Sequence, residues 1–172
     1  MDAPPITLRQ IDADALPQLQ ALYESSRDYF MRHSGAAARP DQAALDYQNV
    51  LAGGERVLLG IYWQREQMVG CFDLRLDHPE PGVIWFGALI LADAPPAPRH
   101  ELREWSLRIL EEWLRLTQLG HEMRLALLVS DRENVRFWSG QGFAATGQAL
   151  RQPIGTKQER LIIYHKAIAA SP

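Results

Sequence analysis

A long amphipathic helix between two apolar strands constrains the fold of this chain more than any other feature of its sequence. Helical periodicity extends from Glu101 to Gln118. The apolar face of that helix is formed by Leu102, Trp105, Ile109, Trp113 and Leu116. Before the helix, Val83–Leu91 is apolar at nearly every position, as expected of a strand covered on both faces, and after it Met123–Val129 predicts another strand. Strand, helix and strand in this order predict a crossover between two parallel strands.

Strand patterns on either side of this unit predict antiparallel neighbours. The further predicted strands are Ile6–Ile11, Val57–Trp63, Met68–Leu76, Phe143–Ile154 and Arg160–Ala167. The last two are joined at Gly155-Thr156, which is typical of a hairpin turn. The predicted fold class is therefore α/β around a mixed sheet.

Three shorter helices are predicted beside the strands. The first is capped by Asp12 or Asp14 and continues through Phe30, and the second covers Asp41–Leu51. The third is Asn134–Gly140, opened by a capping box at Ser130-Asp131-Arg132-Glu133. The segment from His33 to Pro40, which contains glycine, alanines and proline, predicts a loop.

Composition and charge exclude several classes of protein. With 18 Lys and Arg against 21 Asp and Glu, the chain has a formal charge of −3 and no electrostatic footprint for nucleic acid or an anionic membrane. Met1–Pro5 lacks the pattern of a signal peptide, and the longest apolar run is about half of the roughly 20 residues that a membrane span needs. A single cytoplasmic domain over residues 1–172 is expected. The lone Cys71 and five scattered histidines predict no metal site.

The stretch from Asn134 to Phe143 carries the most specific pattern in the chain. It reads Asn-Val-Arg-Phe-Trp-Ser-Gly-Gln-Gly-Phe and follows the strand that begins near Leu125. This resembles the second half of the GNAT acetyltransferase core, in which an Asn opens a helix, an aromatic pair follows and Gly-Phe leads into the next strand. Capping and core packing alone also explain such a motif. The order of elements from Ile6 to Ala167 resembles the same family.

The resemblance implies a mixed, mostly antiparallel sheet with central splayed parallel strands and helices on both faces. It also implies acetyl-CoA as acyl donor, with the pantetheine arm between Ala88–Leu91 and Leu125–Val129. Splayed strands leave backbone N–H and C=O groups unpaired, and the amides of the arm can satisfy them like an added strand. The implied contacts are the backbone of Leu89, Ile90 and Leu91 and the side chains of Asn134 and Trp138.

The segment that should hold the pyrophosphate departs from the family pattern. GNAT enzymes usually open the crossover helix with a loop of the form Gln/Arg-x-x-Gly-x-Gly/Ala, in which glycines let the backbone approach the phosphates. A gapless alignment puts this loop on Pro98–Arg103, which contains no glycine. Arg99, His100 and Arg103 are expected to supply donors and positive charge instead, although the same arginines also suit a solvated first helical turn.

Candidate catalytic groups are fewer than the family usually has. Trp138 occupies the position of the tyrosine that often protonates the leaving thiolate, and an indole N–H has no usable acidity, so Trp138 is expected only to wall the site. The predicted general bases are Asp73 and His78, with Asp77 beside them and Tyr164 and His165 on the last strand as further candidates. Ordered water relaying protons to bulk is a further possibility, because positioning supplies much of the rate.

The acceptor side of the cleft is expected at Tyr29, Arg32 and His33, an aromatic and basic group that also suits a core face beside a solvated loop. The implied function is an acyl-CoA-dependent N-acetyltransferase that acts on an amine of a small molecule or protein. One alternative is a non-catalytic binding or regulatory module with a degenerate acetyl-CoA site, and another is an unrelated α/β binding domain. A homodimer is possible, since relatives often pair.

Overall fold

Seven strands form one sheet in the structure, a computed structural model that describes residues 5–169. The strands are β1 (Ile6–Gln10), β2 (Arg56–Trp63), β3 (Gln67–Arg75), β4 (Val83–Leu91), β5 (Glu122–Leu128), β6 (Ala144–Ile154) and β7 (Lys157–Ala167). Their spatial order is β1-β2-β3-β4-β5-β7-β6, and every neighbouring pair is antiparallel except the central pair β4–β5. The predicted mixed, mostly antiparallel sheet is confirmed.

Five helices cover the two faces of this sheet. They are α1 (Leu16–Ser25), α2 (Arg27–Ser34), α3 (Gln42–Gly53), α4 (Arg99–Thr117) and α5 (Arg132–Gly140). Apolar residues of α1 and α3 pack into one core, and those of α4 and α5 pack into another on the opposite face. Within residues 5–169, none of the helices combines the length and the apolar character needed to span a bilayer.

The helix predicted to continue through Phe30 is in fact two helices, which separate at Ser26. Ser26 has the non-helical torsions φ −107° and ψ 45°. Its buried Oγ lies within hydrogen-bond distance of the carbonyl oxygens of Leu22, at 2.7 Å, and Leu91, at 3.2 Å. The break is therefore fixed to the end of β4. Since α2 continues to Ser34, the predicted loop at His33 begins two residues too early.

Two helix starts also differ from prediction. α4 begins at Arg99, two residues before the predicted start. α5 begins at Arg132 because Asp131, rather than Ser130, is the N-cap and accepts a hydrogen bond from the backbone N–H of Asn134.

A bulge at Gly87 changes the direction of side chains along β4. The register between β3 and β4 shifts at this point, so Gly87 is an extra residue on β4. Ile84 and Phe86, before the bulge, pack in the core under α4 and α5. Ala88 and Ile90, after it, pack against the core under α1 and α3, although simple alternation would put all four on one face.

Candidate active site

The parallel strands β4 and β5 pair at one end and separate at the other. They are paired from Val83, opposite Glu122, to Phe86, opposite Leu125. Beyond Phe86, β4 remains paired with β3, and β5 remains paired with β7. The predicted splay is therefore present and begins at Gly87.

Backbone groups on the open side of β4 come from Leu89 and Leu91. The N–H of Ala92 donates to the carbonyl of Val69 on β3, at 3.0 Å. Because successive residues of a strand turn their backbone groups to opposite sides, Ile90 also faces β3, whereas Leu89 and Leu91 face the gap. The prediction for Leu89 and Leu91 is consistent with this geometry. The prediction for the backbone of Ile90 is wrong, because that backbone faces the β3 ladder.

A cavity of about 300 Å³, which we call the α4-side cavity, lies over the gap. Its walls come from α2, from the open part of β4 and from the starts of α4 and α5. Its lining residues are Asp28, Tyr29, Arg32, His33, Phe86, Gly87, Ala88, Leu89, Asp93, Arg99, Arg103, Leu125, Ala126, Glu133, Asn134 and Trp138. Most of the residues predicted for cofactor or acceptor binding are among them.

Two arginines of α4 reach this cavity, and both already have partners. The Arg99 guanidinium donates to the Ala92 carbonyl at 2.9 Å and lies 3.5 Å from a carboxylate oxygen of Asp93. The Arg103 guanidinium donates to Oδ1 of Asn134 at 2.5 Å and stacks 3.8 Å above the ring of Phe137. Burial lowers the pKa of Arg103 below its usual range. Arg103 therefore bridges α4 to α5 beside the gap.

The segment Pro98–Arg103, which aligns with the family's pyrophosphate loop, forms the N-cap and first turn of α4, as in the alternative expected for its arginines. Pro98 is the N-cap, and the first backbone bond of the helix runs from the Leu102 N–H to the Pro98 carbonyl. The N–H groups of the first turn have no partner within the helix and, with the helix dipole, favour an anion. The His100 side chain is 75% exposed and does not line the α4-side cavity, so only its backbone belongs to this N-terminus.

Trp138 forms a wall of the α4-side cavity, as predicted. Its side chain is buried, and its ring centroid lies 5.6 Å from that of Phe86 and 5.1 Å from that of Phe143. These edge-to-face contacts fix the indole against β4 and the start of β6.

A second cavity, of about 640 Å³, lies on the other side of the gap, and we call it the α3-side cavity. It is lined by parts of α2, α3, β2 and the β6–β7 hairpin. Six residues line both cavities: Tyr29, His33, Phe86, Gly87, Ala126 and Asn134. The two cavities therefore meet at the point where β4 and β5 separate.

Asp73 lies close to this meeting point but is paired with an arginine. A Cβ placed on Gly87 would lie 3.3 Å from the Asp73 carboxyl carbon. Both carboxylate oxygens of Asp73 accept hydrogen bonds from Arg56, at 2.9 and 2.7 Å, and this pairing raises the pKa of Arg56. Arg56 also lies 3.4 Å from Asp46, which accepts a hydrogen bond from Tyr23 at 3.0 Å. Both oxygens of the Asp73 carboxylate therefore already accept hydrogen bonds from Arg56.

His78 lies outside both cavities. Its backbone N–H donates to the Val83 carbonyl at 3.0 Å, and its ring makes an edge-to-face contact with Trp85 at 6.0 Å. His78 therefore belongs to the turn before β4, and of the two predicted bases only Asp73 is near the gap.

The residues predicted for the acceptor side line the α4-side cavity from α2. Tyr29 and His33 stack with their ring centroids 4.3 Å apart. Arg32 pairs with Asp131 at 3.1 Å and so connects α2 to the cap of α5. Burial lowers the pKa of His33 and raises that of Tyr29, so both are uncharged near neutral pH.

Several residues of the α3-side cavity were missed by sequence reasoning. Asp46, Arg56 and Trp85 line it, together with Gln152 and other residues of β6. They come from distant parts of the chain. Only Trp85, an aromatic residue two positions before the bulge, is recognisable in the sequence as a candidate for the site. The hairpin reaches the site because its turn at Gly155 contacts Gly35 at the end of α2: a Cβ on Gly35 would lie 3.1 Å from the Gly155 Cα.

Solved structures share this architecture along nearly the whole chain. An acetyltransferase from Thermus thermophilus matches with a TM-score of 0.75 and 17% identity, over 97% of this chain and 99% of that one. A spermidine N-acetyltransferase from Vibrio cholerae, in complex with CoA and spermine, matches with a TM-score of 0.76 and 13% identity, over 95% of this chain and 96% of that one. An acetyltransferase from Salmonella typhimurium that modifies the N-terminal serine of a 50S ribosomal subunit protein matches with a TM-score of 0.80 and 14% identity, over 96% of each chain.

No protein-family model and no curated protein matches the sequence. The fold implied by the GNAT resemblance is confirmed by the structures, at sequence identities that show the fold alone.

Proposed function

We propose that this protein is an acetyl-CoA-dependent N-acetyltransferase, with the α4-side cavity for the donor and the α3-side cavity for the acceptor amine. The observation that carries the proposal is the gap itself: β4 and β5 stop pairing after Phe86, and the two cavities meet there. A thioester in the gap would be accessible to a nucleophile from the opposite side of the sheet.

Residues beside the gap suit two parts of CoA, the pantetheine arm and the pyrophosphate. The backbone of Leu89 and the N–H of Leu91 face the gap and match the amides of the pantetheine arm. The Leu91 carbonyl is already within hydrogen-bond distance of Ser26 Oγ, at 3.2 Å, and of the Arg99 guanidinium, at 3.5 Å. The Asn134 amide nitrogen is free for the arm, because Arg103 occupies Oδ1 of the same side chain. The N-terminus of α4, with Arg99 and Arg103 beside it, suits the pyrophosphate.

The arrangement supports direct transfer from the thioester to the amine. The bound donor supplies an acyl carbon activated by its thioester bond. This chain holds the amine and the thioester in line across the gap. Trp138 and Phe86 keep water out of the α4-side cavity. Asp73, held by Arg56 next to Gly87, carries a negative charge that attracts the ammonium form of an amine, and water at the open α3-side cavity can remove its first proton.

The acceptor is proposed to be a primary amine of a small molecule or of a protein N-terminus. These are the two kinds of acceptor named for the solved structures with this fold, a polyamine in one case and a terminal serine in another. The β6–β7 hairpin contacts α2 over the α3-side cavity and limits its width.

Thiol release tests the proposal. Purified protein is incubated with acetyl-CoA and separate panels of polyamines, amino acids and N-terminal peptides, and free CoA thiol is measured together with the mass of the acceptor. An acceptor that gains an acetyl group in step with thiol release supports the proposal.

The second candidate, a binding module, is favoured by one observation, which is that Trp138 offers no acidic proton at the thiolate. CoA binding without transfer to any amine in the panels would support this candidate. Absence of CoA binding would contradict the acetyltransferase and leave a module whose donor site is degenerate.

A further inference from the structure

The α3-side cavity has a charged side and an apolar side. The order of strands puts β2 and β3 on one side of the gap and the β6–β7 hairpin on the other. Asp46 on α3 and Arg56 on β2 line the first side. The second side is formed by apolar residues of β5 and of the hairpin, namely Leu127, Leu128, Leu150, Ile154 and Leu161. An acceptor in this cavity would therefore meet charge on one side of the gap and hydrocarbon on the other.

The charged side carries one net negative charge. The Arg56 guanidinium lies 2.7 Å from an oxygen of Asp73 and 3.4 Å from an oxygen of Asp46, so two carboxylates surround one cation. His33 also lines the cavity, but burial lowers its pKa and it adds no charge near neutral pH. One ammonium group balances this side, whereas a carboxylate there would be repelled.

Asp131 is the remaining charged residue among those that line the α3-side cavity in residues 5–169, and both of its oxygens are occupied. One oxygen accepts a hydrogen bond from the backbone N–H of Asn134 at 3.1 Å, and the other pairs with Arg32 at 3.1 Å. On the hairpin, the polar lining residue Gln152 is uncharged. A second ammonium group against the apolar side would lose water without gaining a charged partner.

We propose that the acceptor is a small monoamine with an apolar body, an alkylamine or an arylalkylamine. The inference rests on the proposed function. The ammonium would lie beside Asp73 and Asp46, and the body would pack against the leucines of β5 and the hairpin. An α-amino acid is rejected because its carboxylate would lie next to these two acidic residues. A polyamine is rejected because its further ammonium groups would face hydrocarbon.

The test uses two pairs of substrates whose members differ by one charged group. 2-Phenylethylamine is compared with phenylalanine, which adds a carboxylate, and hexylamine is compared with 1,6-diaminohexane, which adds an ammonium group. With acetyl-CoA as donor, we expect kcat/KM of each monoamine to exceed that of its partner by about 100-fold or more, because each added charge is desolvated without compensation.

A carboxylate added to the apolar side should change the preference between the amines. Leu150 is partly buried and lines the cavity, so Leu150→Glu should raise kcat/KM for 1,6-diaminohexane relative to hexylamine by about tenfold. Ala149→Glu is the matched control, since it adds the same charge to the opposite, exposed face of β6. It should leave the ratio within about twofold of wild type. Circular dichroism and the Kd of CoA show whether both variants are folded.

Removing one acidic residue tests the charged side. Asp46→Asn leaves Arg56 balanced by Asp73 alone, and should raise kcat/KM for phenylalanine relative to 2-phenylethylamine by about tenfold. Asp41→Asn, at the exposed start of α3 and outside both cavities, is the control and should not change this ratio.

Calorimetric titration of the same amines into CoA-saturated protein gives a readout without turnover. If no amine is acetylated, the proposed function fails, and a Kd at least about tenfold lower for each monoamine than for its partner would still support the inference. If phenylalanine, 1,6-diaminohexane or a peptide with an N-terminal serine is acetylated as efficiently as the monoamines, the transferase stands and the inference is overturned. Equal Kd values within each pair would also overturn it.

Discussion

The two halves of the β4–β5 pair use the same backbone in opposite ways. In the paired half, Val83, Ile84 and Met123 are at most 1% exposed, and the strands satisfy each other's backbone groups. In the open half, which starts at Gly87, the strands face two cavities lined by charged and aromatic side chains. The proposed site is therefore built from an interrupted strand pairing, in which the backbone matters as much as the side chains.

Closing the open half should have the largest effect. Ala126 lines both cavities, so Ala126→Trp should fill the junction and reduce CoA affinity by at least about 100-fold. Arg124→Trp puts the same side chain on the same strand, two residues earlier, in the paired half. Calorimetric titration of both variants is the measurement, and equal losses of affinity in the two would remove the distinction between the halves.

Removing the cations at the open half should have the next largest effect. The double variant Arg99→Ala with Arg103→Ala should weaken CoA binding by about 10- to 100-fold and reduce its salt dependence, because two charge-assisted contacts to phosphate are lost. Arg136→Ala with Arg108→Ala removes two cations that line no part of the α4-side cavity, and serves as control. An unchanged Kd in the Arg99/Arg103 variant would show that both arginines only bridge structural elements.

Breaking the Asp73–Arg56 pair should lower the stability of the protein. Asp73→Asn leaves Arg56 with Asp46 alone, in a position where the side chains are 18 to 21% exposed. We expect a loss of about 1–3 kcal/mol in the free energy of unfolding, between the values for exposed and buried pairs, measured by urea denaturation. A loss below about 0.5 kcal/mol would mean that solvent screens this pair as it does surface pairs.

The smallest effect is expected from the pH dependence of stability. His33 has a lowered pKa in the folded state, so the unfolded chain binds its proton first as the pH falls below about 6.5. The folded state therefore loses stability in that window, and His33→Gln should lose less. On going from about pH 7.5 to about pH 5.5, the Tm of His33→Gln should fall less than the Tm of wild type, and the two falls should differ by at most about 4 °C. A larger fall in Tm in the variant than in wild type would contradict the expected direction.

Periodicity predicted the fold well because most elements carry local patterns. The apolar run of β4, the face of α4 and the Gly-Thr turn of the β6–β7 hairpin were all readable, and the observed bounds differ by a few residues. The break at Ser26 was not readable, because it depends on a hydrogen bond to Leu91, 65 residues away. The bulge at Gly87 was missed for a similar reason, since it is a property of the register with β3.

The candidate site was predicted only in part, through the family resemblance. Asn134, Trp138, Arg99 and Arg103 line the cavity as expected, while the side chain of His100 and the backbone of Ile90 point elsewhere. The pairing of Asp73 with Arg56 and the enclosed Nδ1 of His33 arise from contacts between distant elements. Composition and spacing carry no signal for such contacts.

Calorimetric titration of the wild-type protein with CoA tests most directly whether the open half of the β4–β5 pair is a donor site. Saturable one-to-one binding with a Kd of about 1–100 µM, lost in Ala126→Trp and kept in Arg124→Trp, is the expected result. No heat of binding at about 1 mM CoA, or the same Kd in Ala126→Trp as in wild type, would contradict it.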